Sequence, residues 1–245
     1  MNKIAFIITS LAGISTILGF FVLWIKNQEN IIAKALGFSS GVLLFVSIFD
    51  LIPSSFSYFK KSFISGFNIL FCVLFLLLGI LLSTIINENV QKRVGNSSSL
   101  YQIGILSMLA IILHNIPEGI ITYLTTTIEY KAGVFLALSI ACHNIPEGIC
   151  IAIPIYYSTN SKWKAFKMVL LSALSEPLGA LIAALFFQER LSDMIIAIFL
   201  ALVAGIMISL SLLDILPEAK NYSLKHTFIY FCIGFGVLLF SHLLF

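Results

Sequence analysis

Charge is what this sequence has least of. Asp, Glu, Lys and Arg make up only 10% of its 245 residues, whereas 60% are hydrophobic. A soluble domain of this length needs more charge to face water, so that class is excluded; apolar runs of about 20 residues are what a bilayer core demands. Basic clusters are missing too. The 14 lysines and arginines are scattered through short hydrophilic gaps, which excludes a nucleic-acid-binding face. Cysteine is scarce: Cys72, Cys142, Cys150 and Cys232 lie inside apolar segments without zinc-finger or redox spacing, and read as small packing residues. There is no low-complexity tract and no separate soluble domain. The first apolar run, Ile4–Ile25, exceeds the roughly 7–15 residues of a signal-peptide core and no small-x-small cleavage pattern follows it, so it is expected to be a spanning helix.

What is there is hydropathy in blocks. The expected fold class is an all-α polytopic membrane protein, one transmembrane domain over residues 1–245 with eight helices near 4–25, 35–53, 63–86, 101–124, 132–156, 165–187, 193–216 and 227–245. Eight spans place both termini on one face. Lys3, Lys60, Lys61, Lys131 and Arg190 fall on that face, against Lys26, Lys34, Lys92, Arg93, Lys162, Lys164, Lys167, Lys220 and Lys225 on the other. The excess on the second face makes it cytoplasmic, with both termini outside the cytoplasm of a cell (plasma) membrane protein.

Two repeats sit within these blocks. The hexapeptide His-Asn-Ile-Pro-Glu-Gly occurs at His114–Gly119 and again at His143–Gly148, in the fourth and fifth spans. The stretch Gly41–Pro53 aligns without gaps on Gly205–Pro217, with glycine, serine, aspartate and proline in register. Each repeat joins spans that cross in opposite directions, as inverted repeats about a two-fold axis in the membrane plane do; such folds place their site near the midplane.

Ionisable groups are costly in a bilayer and mark function there by default. In each hexapeptide the histidine and glutamate are four residues apart, on one face and one turn of a helix. His114, Asn115 and Glu118 offer an imidazole nitrogen, an amide oxygen and a carboxylate; His143, Asn144 and Glu147 offer the same. Pro117 and Pro146 remove a backbone donor and free a carbonyl one turn earlier. Glu176, coupled to Pro177 in the sixth span, adds a third acid. Three bare carboxylates at mid-depth are not tolerable, but one or two divalent ions bring the cluster near charge balance. The donor set has no thiolate cage; mixed imidazole, amide and carboxylate ligands suit zinc, iron(II), manganese or cobalt, held loosely enough to leave again. Asp50 and Asp214, with Ser47 and Ser211 one turn earlier, are candidate relay ligands toward the two faces. Glu218 reads as solvated at a helix end, and His226 and His242 as interfacial or packing residues.

The twin hexapeptides, Ser175–Gly179 and the stretch Gly205–Ala219 resemble the ZIP family of divalent metal transporters, most closely its ZupT- and GufA-like bacterial branch, over nearly the whole chain. The resemblance implies eight helices in a 3+2+3 arrangement, termini outside, and a binuclear site between the fourth and fifth helices. By position, one ion would meet His114, Glu118, His143 and Glu147. The second would meet Asn115, Glu118, Asn144, Glu147 and Glu176. Two departures stand out: Asp214 where relatives of this type often carry glutamate, and no histidine cluster in the third loop.

The expected function is import of divalent transition-metal ions (zinc, iron, manganese, cobalt, cadmium) by alternating access, with the ion as bound substrate and no enzyme activity. Two rivals are an intramembrane metal-dependent hydrolase, which lacks the His-Glu-x-x-His signature and a spare general base, and a haem-binding electron carrier using His114 and His143. Expected partners are the metal ions and the lipid bilayer, with no nucleic acid; apolar faces leave a homodimer open.

Overall fold

The computed structural model describes residues 1–25, 30–62, 67–95, 98–187 and 192–244. Lys26, Phe63, Arg190, Phe245 and the side chain of His242 lie outside the described residues. Among the described residues the ordered structure is helical, with no strand. Eight helices follow one another: α1 (Lys3–Trp24), α2 (Ile31–Lys61), α3 (Phe67–Val94), α4 (Ser99–Ile128), α5 (Tyr130–Thr159), α6 (Lys162–Phe186), α7 (Asp193–Tyr222) and α8 (Leu224–Leu244). Seven of them are long and apolar enough to cross a membrane; the apolar stretch of α8, Leu224–Phe240, is shorter. Short connections make successive helices alternate in direction, so α1 begins and α8 ends on one face, the termini face.

Polar residues at the ends satisfy amides that no helical carbonyl can reach. Asn2 Oδ1 accepts from the N–H groups of Ile4 and Ala5, each at 3.2 Å. Ser98 Oγ caps α4 by accepting from the Tyr101 N–H at 3.4 Å, and Ser161 Oγ caps α6 by accepting from Lys164 at 3.3 Å. Asn160, at φ +50°, closes α5 in the left-handed region that asparagine tolerates.

Two helices outrun the ends read from their prolines. α2 continues past Pro53 to Lys61, and α7 past Leu216 and Pro217 to Tyr222. Each first widens into a π turn, Val46–Leu51 in α2 and Leu210–Ile215 in α7. A wide turn re-pairs the carbonyls that a proline leaves without an N–H, so the helix need not stop. Both π turns occupy the same register of the Gly41–Pro53 and Gly205–Pro217 repeat.

Backbones cross closely at glycines, as small residues permit in membrane helices. A Cβ at Gly41 would strike the Phe231 carbonyl of α8, and one at Gly205 the Leu76 carbonyl of α3. A Cβ at Gly19 would meet the Ile145 carbonyl of α5, and one at Gly179 the Ile116 carbonyl of α4. In each pair the glycine and its target shift by the offset of their own helices. Where α2, α4, α5 and α7 meet, Leu36, Phe45, Ile111, Ile151 and Met207 form the buried core.

Candidate metal centre

Both hexapeptides are continuous helix, with Pro117 inside α4 and Pro146 inside α5. The four-residue spacing therefore puts each histidine one turn from its glutamate. His114 Nε2 lies 3.2 Å from Glu118 Oε1 within α4. Across the helix pair it lies 3.7 Å from Glu147 Oε1, and His143 Nε2 lies 3.4 Å from Glu118 Oε2. The imidazole centroids are 6.1 Å apart. Ligand atoms of His114, Glu118 and His143 all fall within 4.8 Å of one another.

These separations fit a cation. Zinc–nitrogen and zinc–oxygen bonds of about 2.0–2.2 Å at tetrahedral angles place neighbouring ligand atoms about 3.3–3.6 Å apart. Hydrogen bonding explains them less well. His114 Nε2 and both Glu147 oxygens are buried and make no hydrogen bond, although His114 Nε2 is within ion-pair distance of two carboxylates. Buried polar atoms rarely go unsatisfied. A cation between them satisfies all at once.

Glu176 arrives from α6. A Cβ at Gly119 would strike the Glu176 carbonyl, so the glycine lets α6 lie directly on α4 beside the site. Glu176 Oε1 accepts from Asn144 Nδ2 at 2.5 Å, and the same amide donates to the Ala12 carbonyl of α1 at 2.9 Å. Asn115 is fully buried, and neither its oxygen nor its nitrogen finds a hydrogen-bond partner. Six of the seven expected ligands thus fall into two contacting sets, His114–Glu118–His143–Glu147 and Asn144–Glu176; Asn115 is adjacent in sequence but makes no hydrogen bond to either.

The relay candidates separate. Asp50 lines a cavity of about 320 Å³ together with Ser54, Glu118, Thr122, Ser139 and His143. Ser47 donates to the Leu43 carbonyl at 2.7 Å. On the other face, Asp214 accepts from Asn87 Nδ2 at 2.7 Å, and Ser211 is clasped to Ser40, hydroxyl to hydroxyl at 2.8 Å. Glu218 accepts from Ser99 Oγ at 2.7 Å on an exposed surface, and His226 Nδ1 lies 2.8 Å from Ser223 Oγ. Sequence reasoning missed Ser54, Thr122, Thr125 and Ser139. Thr122 and Thr125 stand one and two turns after Glu118, and Ser139 one turn before His143, so polar spacing along the hexapeptide helices was the available signal. A second cavity of about 330 Å³, between α4, α6 and α7, has a wholly apolar lining that includes Ile116, Pro117 and Phe199; it offers no ligand atom.

The cavity wall comes from the C-terminal parts of α2 and α4 and the N-terminal parts of α5 and α7. It therefore leads from the termini face down to Glu118 and His143.

Comparisons with known proteins agree with this chemistry. The ZIP Zinc transporter family profile matches residues 90–242. Proteins named zinc transporter ZupT are similar over almost the full length: that of Campylobacter jejuni is 33% identical, covering 93% of this chain and 91% of the relative. That of Lysinibacillus sphaericus is 36% identical over 94% and 93%, and that of Chlorobium phaeovibrioides 37% over 91% and 90%. A multi-pass membrane protein with a buried histidine–glutamate cluster, matching along its length to such relatives, transports divalent metal ions: the chain belongs to the ZIP zinc transporter family.

Proposed function

We propose that this protein imports zinc, and with it other divalent transition metals, across the cell membrane into the cytoplasm. The observation that carries this reading is the His114–Glu118–His143 cluster with Glu147 beside it, buried where α4 and α5 face each other in the middle of their lengths. Both termini lie outside, so the cavity at Asp50 is the outer vestibule. Asp50 gathers cations there; Glu118 and His143 receive them at its floor.

The site is binuclear. His114, Glu118, His143 and Glu147 hold one ion, and Asn115, Asn144 and Glu176 add ligands for a second, with Glu118 and Glu147 bridging. The helices form a 3+2+3 arrangement of two inverted halves. The matched π turns of α2 and α7 and the matched glycine crossings support that arrangement.

Transport follows as exchange between two half-open states. The ion enters from the vestibule, neutralises carboxylates that are otherwise too costly to enclose, and so permits the vestibule to close. Opening on the other face then exposes the ion to the cytoplasm, where Asp214 is its exit ligand. The protein acts as a carrier, a reading supported by its similarity to zinc transporters and by the absence of the His-Glu-x-x-His signature of zinc hydrolases from its sequence.

The test is radioactive zinc uptake into vesicles by wild type and by His114→Ala, Glu118→Ala and Glu147→Ala. Flux should collapse in all three; full flux in all three refutes the assignment. Uptake should also weaken from pH 8 toward pH 5, since protons compete with metal for imidazole and carboxylate. Competition by iron, manganese, cobalt and cadmium, with and without an imposed proton gradient, ranks the substrates.

A further inference from the structure

The matching of α1 with α6 extends beyond their glycines. Ser15-Thr16-Ile17-Leu18-Gly19 lies in register with Ser175-Glu176-Pro177-Leu178-Gly179. Both helices break at this point, and in both the serine turns back on its own helix. Ser15 Oγ donates to the Ala12 carbonyl at 2.6 Å, and Ser175 Oγ to the Ser172 carbonyl at 2.5 Å. A Cβ at Gly148 would strike the Thr16 carbonyl, as one at Gly119 would strike that of Glu176. Thr16 is thus the counterpart of Glu176, Ser172 of Ala12, and Asn115 of Asn144.

The two members of this relation are not equally satisfied. Around Glu176, Asn144 Nδ2 bonds both the carboxylate and the Ala12 carbonyl, leaving Asn144 Oδ1 and Glu176 Oε2 without a hydrogen bond. At the positions that the repeat makes their counterparts, no side-chain hydrogen bond forms at all among the described residues: Thr16 Oγ1, Ser172 Oγ, and both Oδ1 and Nδ2 of Asn115 are buried and unpaired. Four such atoms would together be a heavy penalty without a ligand. The threonine hydroxyl stops two bonds short of where a glutamate oxygen would be, about 2.5 Å. That shortfall is close to the reach of one bridging water molecule.

We propose that Thr16 is a positioning residue of the metal centre: with Asn115 and Ser172 it forms a neutral half of the site that presents a water molecule, where the Glu176 half presents a carboxylate. This rests on the metal-centre reading above. Its consequence is charge. The centre holds three carboxylates and not the four that strict two-fold repetition would give, so the cation is held by fewer fixed negative charges and leaves more readily.

The experiment is equilibrium binding of zinc alone to the purified full-length protein in lipid nanodiscs, paired with vesicle uptake. Thr16→Val, which keeps the shape and removes the hydroxyl, should weaken zinc binding by about tenfold, the range set by ligands acting behind the first coordination sphere. Thr16→Ser should restore it. Thr16→Glu should bind more tightly and transport more slowly. Thr227→Val removes another buried, unpaired hydroxyl, in α8, and should behave as wild type; a loss equal to that of Thr16→Val overturns the proposal. Wild-type binding by Thr16→Val, with Glu176→Gln weakened, overturns the water-bearing half alone. Wild-type binding by Glu176→Gln overturns Glu176 as a ligand, and this proposal with it, whereas the metal centre itself falls only if His114→Ala, Glu118→Ala and Glu147→Ala also bind zinc as wild type.

Discussion

The vestibule and the corresponding region toward the opposite face are built from related residues and look nothing alike. Asp50, Glu118, Ile121, Thr122, Ser139 and His143 line the vestibule. Their counterparts in the other half are Asp214, Glu147, Cys150, Ile151, Ala110 and His114. Glu118 and His143 keep 9% and 6% exposure, but Glu147 and His114 keep 1% each. Cys150 and Ile151 are fully buried, and Cys150 donates to Ser107 at 3.3 Å. The difference lies in the walls. Thr125 and Ser139 are half-buried hydroxyl residues on the vestibule wall, and the buried Thr122 adds a third polar side chain; Ile151, Pro154 and Ala110 are buried and offer only apolar side chains. Ser40–Ser211 and Asn87–Asp214 clasp the same side. Residues related by sequence repeat thus line a polar wall toward one face and an apolar one toward the other.

Several substitutions break or sharpen this comparison. The largest effect is expected at the ligands that both halves share. Glu118→Ala and Glu147→Ala should each lower zinc affinity by roughly 100-fold or more, beyond the 10–100-fold typical of groups behind the ligands. Isothermal titration checks this, and a silent Glu147→Ala would mean that the closed half contributes nothing to the site. Next come the glycine crossings. Gly119→Ala and Gly148→Ala should each cost about 1–3 kcal/mol by overpacking the backbone of α6 or α1, read as similar losses in thermal stability. A large effect in one and none in the other would deny that the crossings are equivalent.

Asp50→Asn and Asp214→Asn should separate the faces kinetically. The first slows zinc loading from the termini face by weakening cation attraction at the vestibule. The second leaves loading unchanged and slows release, a distinction that rapid-mixing uptake measures. The smallest effect belongs to Ser40→Ala, which removes a clasp worth about 1 kcal/mol. It should shift the population toward the state open on the face opposite the termini by about fivefold, seen as faster proteolysis or labelling on that face.

How far these regions were readable in the sequence varied with the kind of signal. The hexapeptides announce themselves, because His114, Glu118, His143 and Glu147 are ionisable groups at helical spacing inside apolar runs. The α2–α7 repeat was readable for a similar reason, since glycine, serine, aspartate and proline persist in register. The π turns were not. Hydropathy treats Pro53 and Pro217 as stops, and the i→i+5 bonding that carries a helix through them leaves no compositional trace. The kinship of α1 and α6 was hidden because its most informative position changes from Glu176 to Thr16, so the charge that draws attention exists in one copy only. The serine–leucine–glycine identities around both positions were the remaining clue. Which face stands open was beyond a sequence reading of ligands, as it depends on Thr125 and Ser139 staying half-buried where their counterparts Pro154 and Ala110 are buried.

The most direct measurement is thiol accessibility at one equivalent position in the two halves. In a protein with Cys72, Cys142 and Cys232 replaced by alanine, a water-soluble maleimide is applied to native Cys150 and, in a Cys150→Ala background, to Ile121→Cys. The account predicts that Ile121→Cys reacts from the termini face and is protected by zinc, with protection lost in His114→Ala, while Cys150 stays unreactive in the absence of metal. Equal reaction of Cys150, or reaction at Ile121→Cys that zinc does not slow, would contradict a metal centre reached from one face and sealed from the other.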